Sequence, residues 1–81
     1  MKDWCKIIET NEFDILIQKS YSEEDDKYQI DIYQKVYGAN ATYSLGFSTE
    51  EKREMAWYDI EDEKYIKIAR TVRNELLGMT A

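Results

Sequence analysis

The sequence predicts an α+β domain: an antiparallel three- or four-stranded meander packed against a C-terminal helix. Three observations carry this. Residues 27–37 alternate with a period of two in β-branched and aromatic types. Residues 65–77 carry apolar side chains at helical spacing. The joints between periodic stretches are short and hold turn residues. Eighty-one residues make a single domain, 1–81. The charged fraction of 35% is mixed in sign, and 14% of residues are aromatic, so a packed core is expected over disorder.

Each element follows from its local pattern. Residues 4–10, with Trp4, Cys5, Ile7 and Ile8, fit either a short leading strand or one helical turn, and the strand is preferred. In the second strand, Phe13 to Tyr21, Phe13, Ile15, Ile17 and Tyr21 alternate with Asp14, Leu16, Gln18 and Ser20. Ser22-Glu23-Glu24-Asp25-Asp26 is polar and predicts a hairpin whose tip carries four adjacent carboxylates. In the third strand, Lys27 to Tyr37, one face holds Tyr28, Ile30, Ile32 and Val36, interrupted by Gln34. Gln29, Asp31, Tyr33, Lys35 and Tyr37 take the other face. Gly38-Ala39-Asn40 predicts the next turn, since Gly and Asn tolerate positive φ. Ala41, Tyr43, Leu45 and Phe47 then alternate as another strand.

Ser48 followed by Glu51 matches a capping box, so a helix is expected over 49–57, with a further strand over 55–60 as the alternative. The last helix has Asp59 or Asp62 as candidate caps and Gly78 as the residue after its end. Its stripe runs through Tyr65, Ile68 or Ala69, Val72 and Leu76. The expected core sets Ile15, Ile17, Ile30, Ile32, Leu45 and Phe47 against Ile68, Val72 and Leu76.

Composition narrows the chemistry. There is no histidine, the commonest general base and transition-metal ligand. The single Cys5 has no histidine partner and reads as a small apolar filler in a reducing compartment. No Gly-rich phosphate loop is present, and the acidic run lacks the spacing and central glycine of a calcium loop. No catalytic residue, metal site or cofactor is assigned, and no enzymatic activity is expected. Asn40-Ala41-Thr42 matches a glycosylation acceptor, which has no use without secretion. The first four residues, Met1-Lys2-Asp3-Trp4, lack a signal peptide's apolar run, and no stretch reaches the roughly 20 apolar residues of a membrane span. The cytoplasm is the expected location.

Charge is the remaining signal. Residues 1–63 hold 16 Asp and Glu against 7 Lys and Arg, whereas residues 64–81 hold 1 against 4. A fold that separates charge in this way selects partners by sign. The net charge of −6 repels phosphates, so direct nucleic-acid binding is not expected. Carboxylates on alternate strand positions sit about 7 Å apart, and such a row can occupy a groove built for a nucleic-acid backbone. The same acidity also serves simple solubility.

In length, acidity, lack of histidine and proline, and sheet-plus-helix texture, the chain resembles small phage-encoded inhibitors of host defence of the anti-CRISPR and anti-restriction type. The resemblance gives no individual residue a role. It implies a non-enzymatic inhibitor, a nucleic-acid mimic that blocks a basic, nucleic-acid-handling protein. The residues expected to touch that partner are Glu23, Glu24, Asp25, Asp26, Asp31, Glu50, Glu51 and Glu54, with Tyr33 and Tyr37 as anchors in an apolar patch with Leu16. The alternative is an oligomeric structural or ligand-sequestering protein that uses its aromatic sheet face or strand edges.

Overall fold

The computed structural model describes residues 4–80. Met1-Lys2-Asp3, read above for a leader, lie outside the described residues. The chain runs through β1 (Cys5–Glu9), β2 (Asp14–Ser22), β3 (Lys27–Val36), β4 (Ala39–Phe47), α1 (Glu50–Asp59) and α2 (Asp62–Thr80). The strands form one antiparallel sheet in the order β1-β2-β3-β4, and both helices pack on one face of it. This is the expected α+β meander, with four strands and with residues 5–9 as the leading one.

Register is continuous throughout, so each side chain's face follows from its parity. Lys6, Ile17, Ile32 and Tyr43 form one row beneath the helices; Ile8, Ile15, Gln34 and Ala41 form the next. Ile15, Ile17, Ile30 and Ile32 are fully buried, as their alternation predicts. Leu45 and Phe47 are half-buried, because β4 is an edge strand.

Several expectations shift. The second hairpin turns at Tyr37-Gly38, one residue before the expected site. Val36 pairs with Ala39, leaving a two-residue loop in which Tyr37 (φ 52°) and Gly38 (φ 80°) are both left-handed. Such loops match the twist of the flanking strands, so strand twist overrides the preference for Asn at this turn. Tyr37 thus leaves the strand, and Ala39 and Asn40 join the next one.

Residues 50–59 are a helix, not a strand. Arg53, Ala56, Trp57 and Ile60 recur on its inner side at helical spacing. Its cap is Thr49 rather than Ser48: the Thr49 hydroxyl accepts from the Lys52 N–H at 3.1 Å. Ser48 instead accepts from the Lys52 ammonium at 3.2 Å. Asp59 closes this helix rather than capping the next one. Ile60 then takes extended backbone, and its N–H donates to the Ala56 carbonyl at 2.8 Å. Asp62 lies inside the first turn of α2, and Gly78 lies within that helix, not beyond it.

The α2 residues deepest in the core are Tyr65 and Ala69, with Ile68, Val72 and Leu76 half-buried on its flank. The cause is Gln34. It sits on the inner face of a central strand and needs a polar partner. The small Ala69 lets the helix settle onto β3, and the Gln34 amide donates to the Ala69 carbonyl at 2.8 Å. Ile8 of β1 and Trp57 of α1 also belong to the core, both absent from the expected set.

Candidate acidic interface and the charge cluster beneath it

Sheet topology brings two acidic segments to one end of the molecule. β2 ends at Ser22 and β3 begins at Lys27, so Glu23, Glu24, Asp25 and Asp26 form the hairpin tip. Tyr28 of β3 pairs with Phe47 of β4, and α1 starts three residues later. Glu50 and Glu51 therefore stand beside the tip. All six carboxylates are exposed, and among the described residues the exposed cations at this end are Lys27 and Lys52. The tip acids make no ion pair among the described residues. Local bonds shape the turn. The Tyr21 hydroxyl donates to the Asp26 carboxylate, and that bond raises the tyrosine's pKa above 10.0. Asp26 itself is left-handed (φ 51°), a conformation that short polar side chains tolerate.

Beneath this end lies a buried charge cluster. Lys19 sits on the inner face of β2, in line with Ile15 and Ile17, and is 4% exposed. Its ammonium contacts Glu54 Oε2 at 2.6 Å and lies 4.6 Å from the Trp57 ring centre. Arg53, 3% exposed, reaches Glu54 Oε1 at 3.5 Å and Glu50 at 4.0 Å. Arg53 Nη1 donates to the Ser20 carbonyl at 2.8 Å, which ties α1 to β2. Aromatic faces replace part of the water these cations lose: Trp4 lies 5.8 Å from Lys19 and 5.7 Å from the Arg53 guanidinium, with Tyr28 5.3 Å from the latter. Lys6 extends the pattern, 5.3 Å from Trp57 and 4.9 Å from Tyr65, and pairs with Asp62 at 3.3 Å.

The expected partner-binding residues divide accordingly. Glu23, Glu24, Asp25, Asp26, Glu50 and Glu51 come together on the surface. Glu54 does not join them, because its carboxylate is taken up by Lys19 and Arg53. Asp31 lies on the sheet face away from the helices and is 5% exposed. It accepts from Ser44 Oγ at 2.6 Å and from the Tyr33 hydroxyl at 3.4 Å. Burial, then the Asp31 charge and this bond, raise the Tyr33 pKa above 10.0. Tyr37, 82% exposed, is at the opposite end of β3 from the acidic tip, about 30 Å along the strand.

The patch expected from Leu16, Tyr33 and Tyr37 is instead a row of Ile7, Leu16 and Tyr33 across three strands. Ile7 lies on this open face, 68% exposed, and Trp4 turns to the opposite one. Cys5 is exposed on the same open face, not an apolar filler.

The buried cations are what sequence reasoning passed over. Their signal was present: Lys19 occupies an inward position between Ile17 and Tyr21, where alternation calls for an apolar residue. On the C-terminal helix, Lys64, Lys67 and Arg70 are exposed, and Arg70 approaches Glu12 at 3.9 Å. Arg73, half-buried, lies 5.0 Å from the Phe13 ring centre and donates to the Lys35 carbonyl at 2.7 Å. No group of three or more Cys, Asp and Glu residues converges as metal ligands among the described residues. No described helix is long and apolar enough to cross a membrane. Compared with family models, curated proteins and solved structures, the chain matches none.

Proposed function

We propose that this protein is a non-enzymatic binding protein that docks its acidic end on a basic partner and blocks it. The carrying observation is the juxtaposition of the hairpin tip with the first turn of α1: among the described residues, six exposed carboxylates against two exposed cations. Two further cations of this region, Lys19 and Arg53, are withdrawn beneath the surface. Negative potential over one end draws a cationic surface into encounter and competes for Arg and Lys side chains that hold a phosphate backbone. The partner class is a nucleic-acid-handling protein in the cytoplasm. With the resemblance noted above, the biological setting is inhibition of a host defence complex.

The test is charge reversal at the tip, Glu23, Glu24, Asp25 and Asp26 each to Lys, in a protein used to capture partners from cells. The wild-type chain retains a basic protein and the variant loses it. With the purified pair, association slows in the variant, and the difference shrinks as ionic strength rises toward 1 M, where the screening length is about 3 Å. Equal association rates for both proteins at low salt would refute docking through this end.

A further inference from the structure

The sheet has two edges, and they are built differently. β1 is five residues long and carries Lys6 and Glu9, the kind of charge that discourages strand addition. β4 is nine residues, Ala39–Phe47, with no charge and no proline. Its register against β3 is unbroken, so no bulge twists it away, and none of its residues is buried. In a chain that is 35% charged, this strip is an exception. Its outward N–H and C=O groups form a template for another strand.

The groove above this edge shows which strand fits. Where α2 overhangs β4, a depression of about 340 Å3 is lined by Tyr43, Lys67, Ile68, Thr71, Val72 and Glu75. Tyr43 is the middle residue of β4. Lys67 and Glu75 lie one turn to either side of Thr71, on one helix face. A two-fold axis beside Tyr43 and Thr71 therefore brings each Lys67 to the other copy's Glu75. The same axis makes the strands antiparallel and sets the two α2 helices antiparallel in one layer. Those helices then lie two to three strand spacings apart, roughly 10–14 Å, within reach of a lysine–glutamate pair. The surface is self-complementary, as a two-fold interface must be.

We infer that β4 is a homotypic docking strand: two copies pair β4 to β4 across a two-fold at Tyr43, joining their sheets into one. A strand of this length with the overhanging helix flank covers roughly 600 Å2 on each copy, the lower range for a specific interface. This association uses neither the hairpin tip nor α1, so it stands or falls separately from the acidic end.

Analytical ultracentrifugation of the purified chain tests it. At about 100 µM, above a micromolar dissociation constant, the expected mass is twice the chain's 9.7 kDa. Tyr43→Lys sets like charges directly opposite across the axis and yields monomer. Circular dichroism verifies that it remains folded, and Thr42→Lys, on the open face of the same strand, replaces it otherwise. Lys67→Glu weakens the dimer by roughly tenfold, since symmetry uses the pair twice, and adding Glu75→Lys restores it. A chain that is monomeric at this concentration, or a dimer indifferent to Tyr43→Lys and Lys67→Glu, overturns the inference.

Discussion

Replacing Glu54 by Ala removes the carboxylate that Lys19 and Arg53 share. The magnitude follows from the geometry. Lys19 Nζ sits 2.6 Å from Glu54 Oε2, with side-chain exposures of 0% for the lysine and 18% for the glutamate. At an effective dielectric near 20, opposite charges at that separation attract by roughly 6 kcal/mol. Most of this offsets the desolvation of both groups, so the pair adds little net stability when intact. Losing one partner is a different matter. Without Glu54, the half-exposed Glu50, 4.0 Å from Arg53, is the remaining carboxylate paired with this cluster among the described residues. The expected loss is about 3–5 kcal/mol. A chain of 81 residues holds roughly 4–12 kcal/mol in total, so this variant stands near the edge of folding.

Lys19→Met is milder, about 1–2 kcal/mol, because Glu54 retains Arg53 at 3.5 Å and methionine packs against Trp57. Urea denaturation at neutral pH, with a double-mutant cycle over Lys19 and Glu54, measures both. If Glu54→Ala destabilised no more than Glu51→Ala, an exposed control, Glu54 would be a surface acid and the cluster no part of the fold's stability.

Three further outcomes are expected. Burial and the neighbouring Asp62 charge push the Tyr65 pKa to about 12. The unfolded chain therefore sheds this proton first as pH rises, and stability held below pH 10 falls by roughly 2–3 kcal/mol toward pH 12. Tyr65→Phe removes that part of the alkaline slope in urea titrations, and an unchanged slope would count against it. Tyr37→Asn relieves a tyrosine held left-handed and raises stability by about 0.5–1 kcal/mol, seen as a higher melting temperature; a lower one would mean the exposed ring contributes to the fold. Thr49→Ala costs about 1 kcal/mol and Ser48→Ala under about 0.5, by the same thermal assay, and the reverse order would return the cap to Ser48.

The strands were legible because a half-buried antiparallel sheet writes its period directly into the chain. Ile15, Ile17, Ile30 and Ile32 alternate, and all four are core. Helix α1 was harder to read, since Met55, Trp57 and Asp59 also alternate. Only the burial of Arg53 together with Trp57, four residues apart, separates the two periods, and a charged residue gives no such hint. The stripe of α2 includes the buried Tyr65 and offers Ala69 beside Ile68, yet the expected core took Ile68, Val72 and Leu76, for a related reason. Ile68, Val72 and Leu76 form the more hydrophobic stripe, yet the partner for Gln34 required a small residue over β3, and Ala69 supplies it. Local pattern records apolar content. It does not record which polar group a neighbouring element must satisfy.

The same limit governs the acidic end. A count of charges treats Glu54 and Glu51 alike, but one is spent on buried cations and the other faces water. Separating them requires knowing that Lys19 points inward, which its strand parity states, and that α1 folds back over β2, which only the tertiary structure states. Six of the eight expected acidic contacts nevertheless meet on one surface, because consecutive hairpins return the chain to the same end of the sheet every second strand. The start of α1 reaches the β2–β3 tip by that topology alone. Charge placed at alternate turns of a meander therefore converges without any sequence motif, and an electrostatic site of this kind leaves no signature beyond the spacing of its turns.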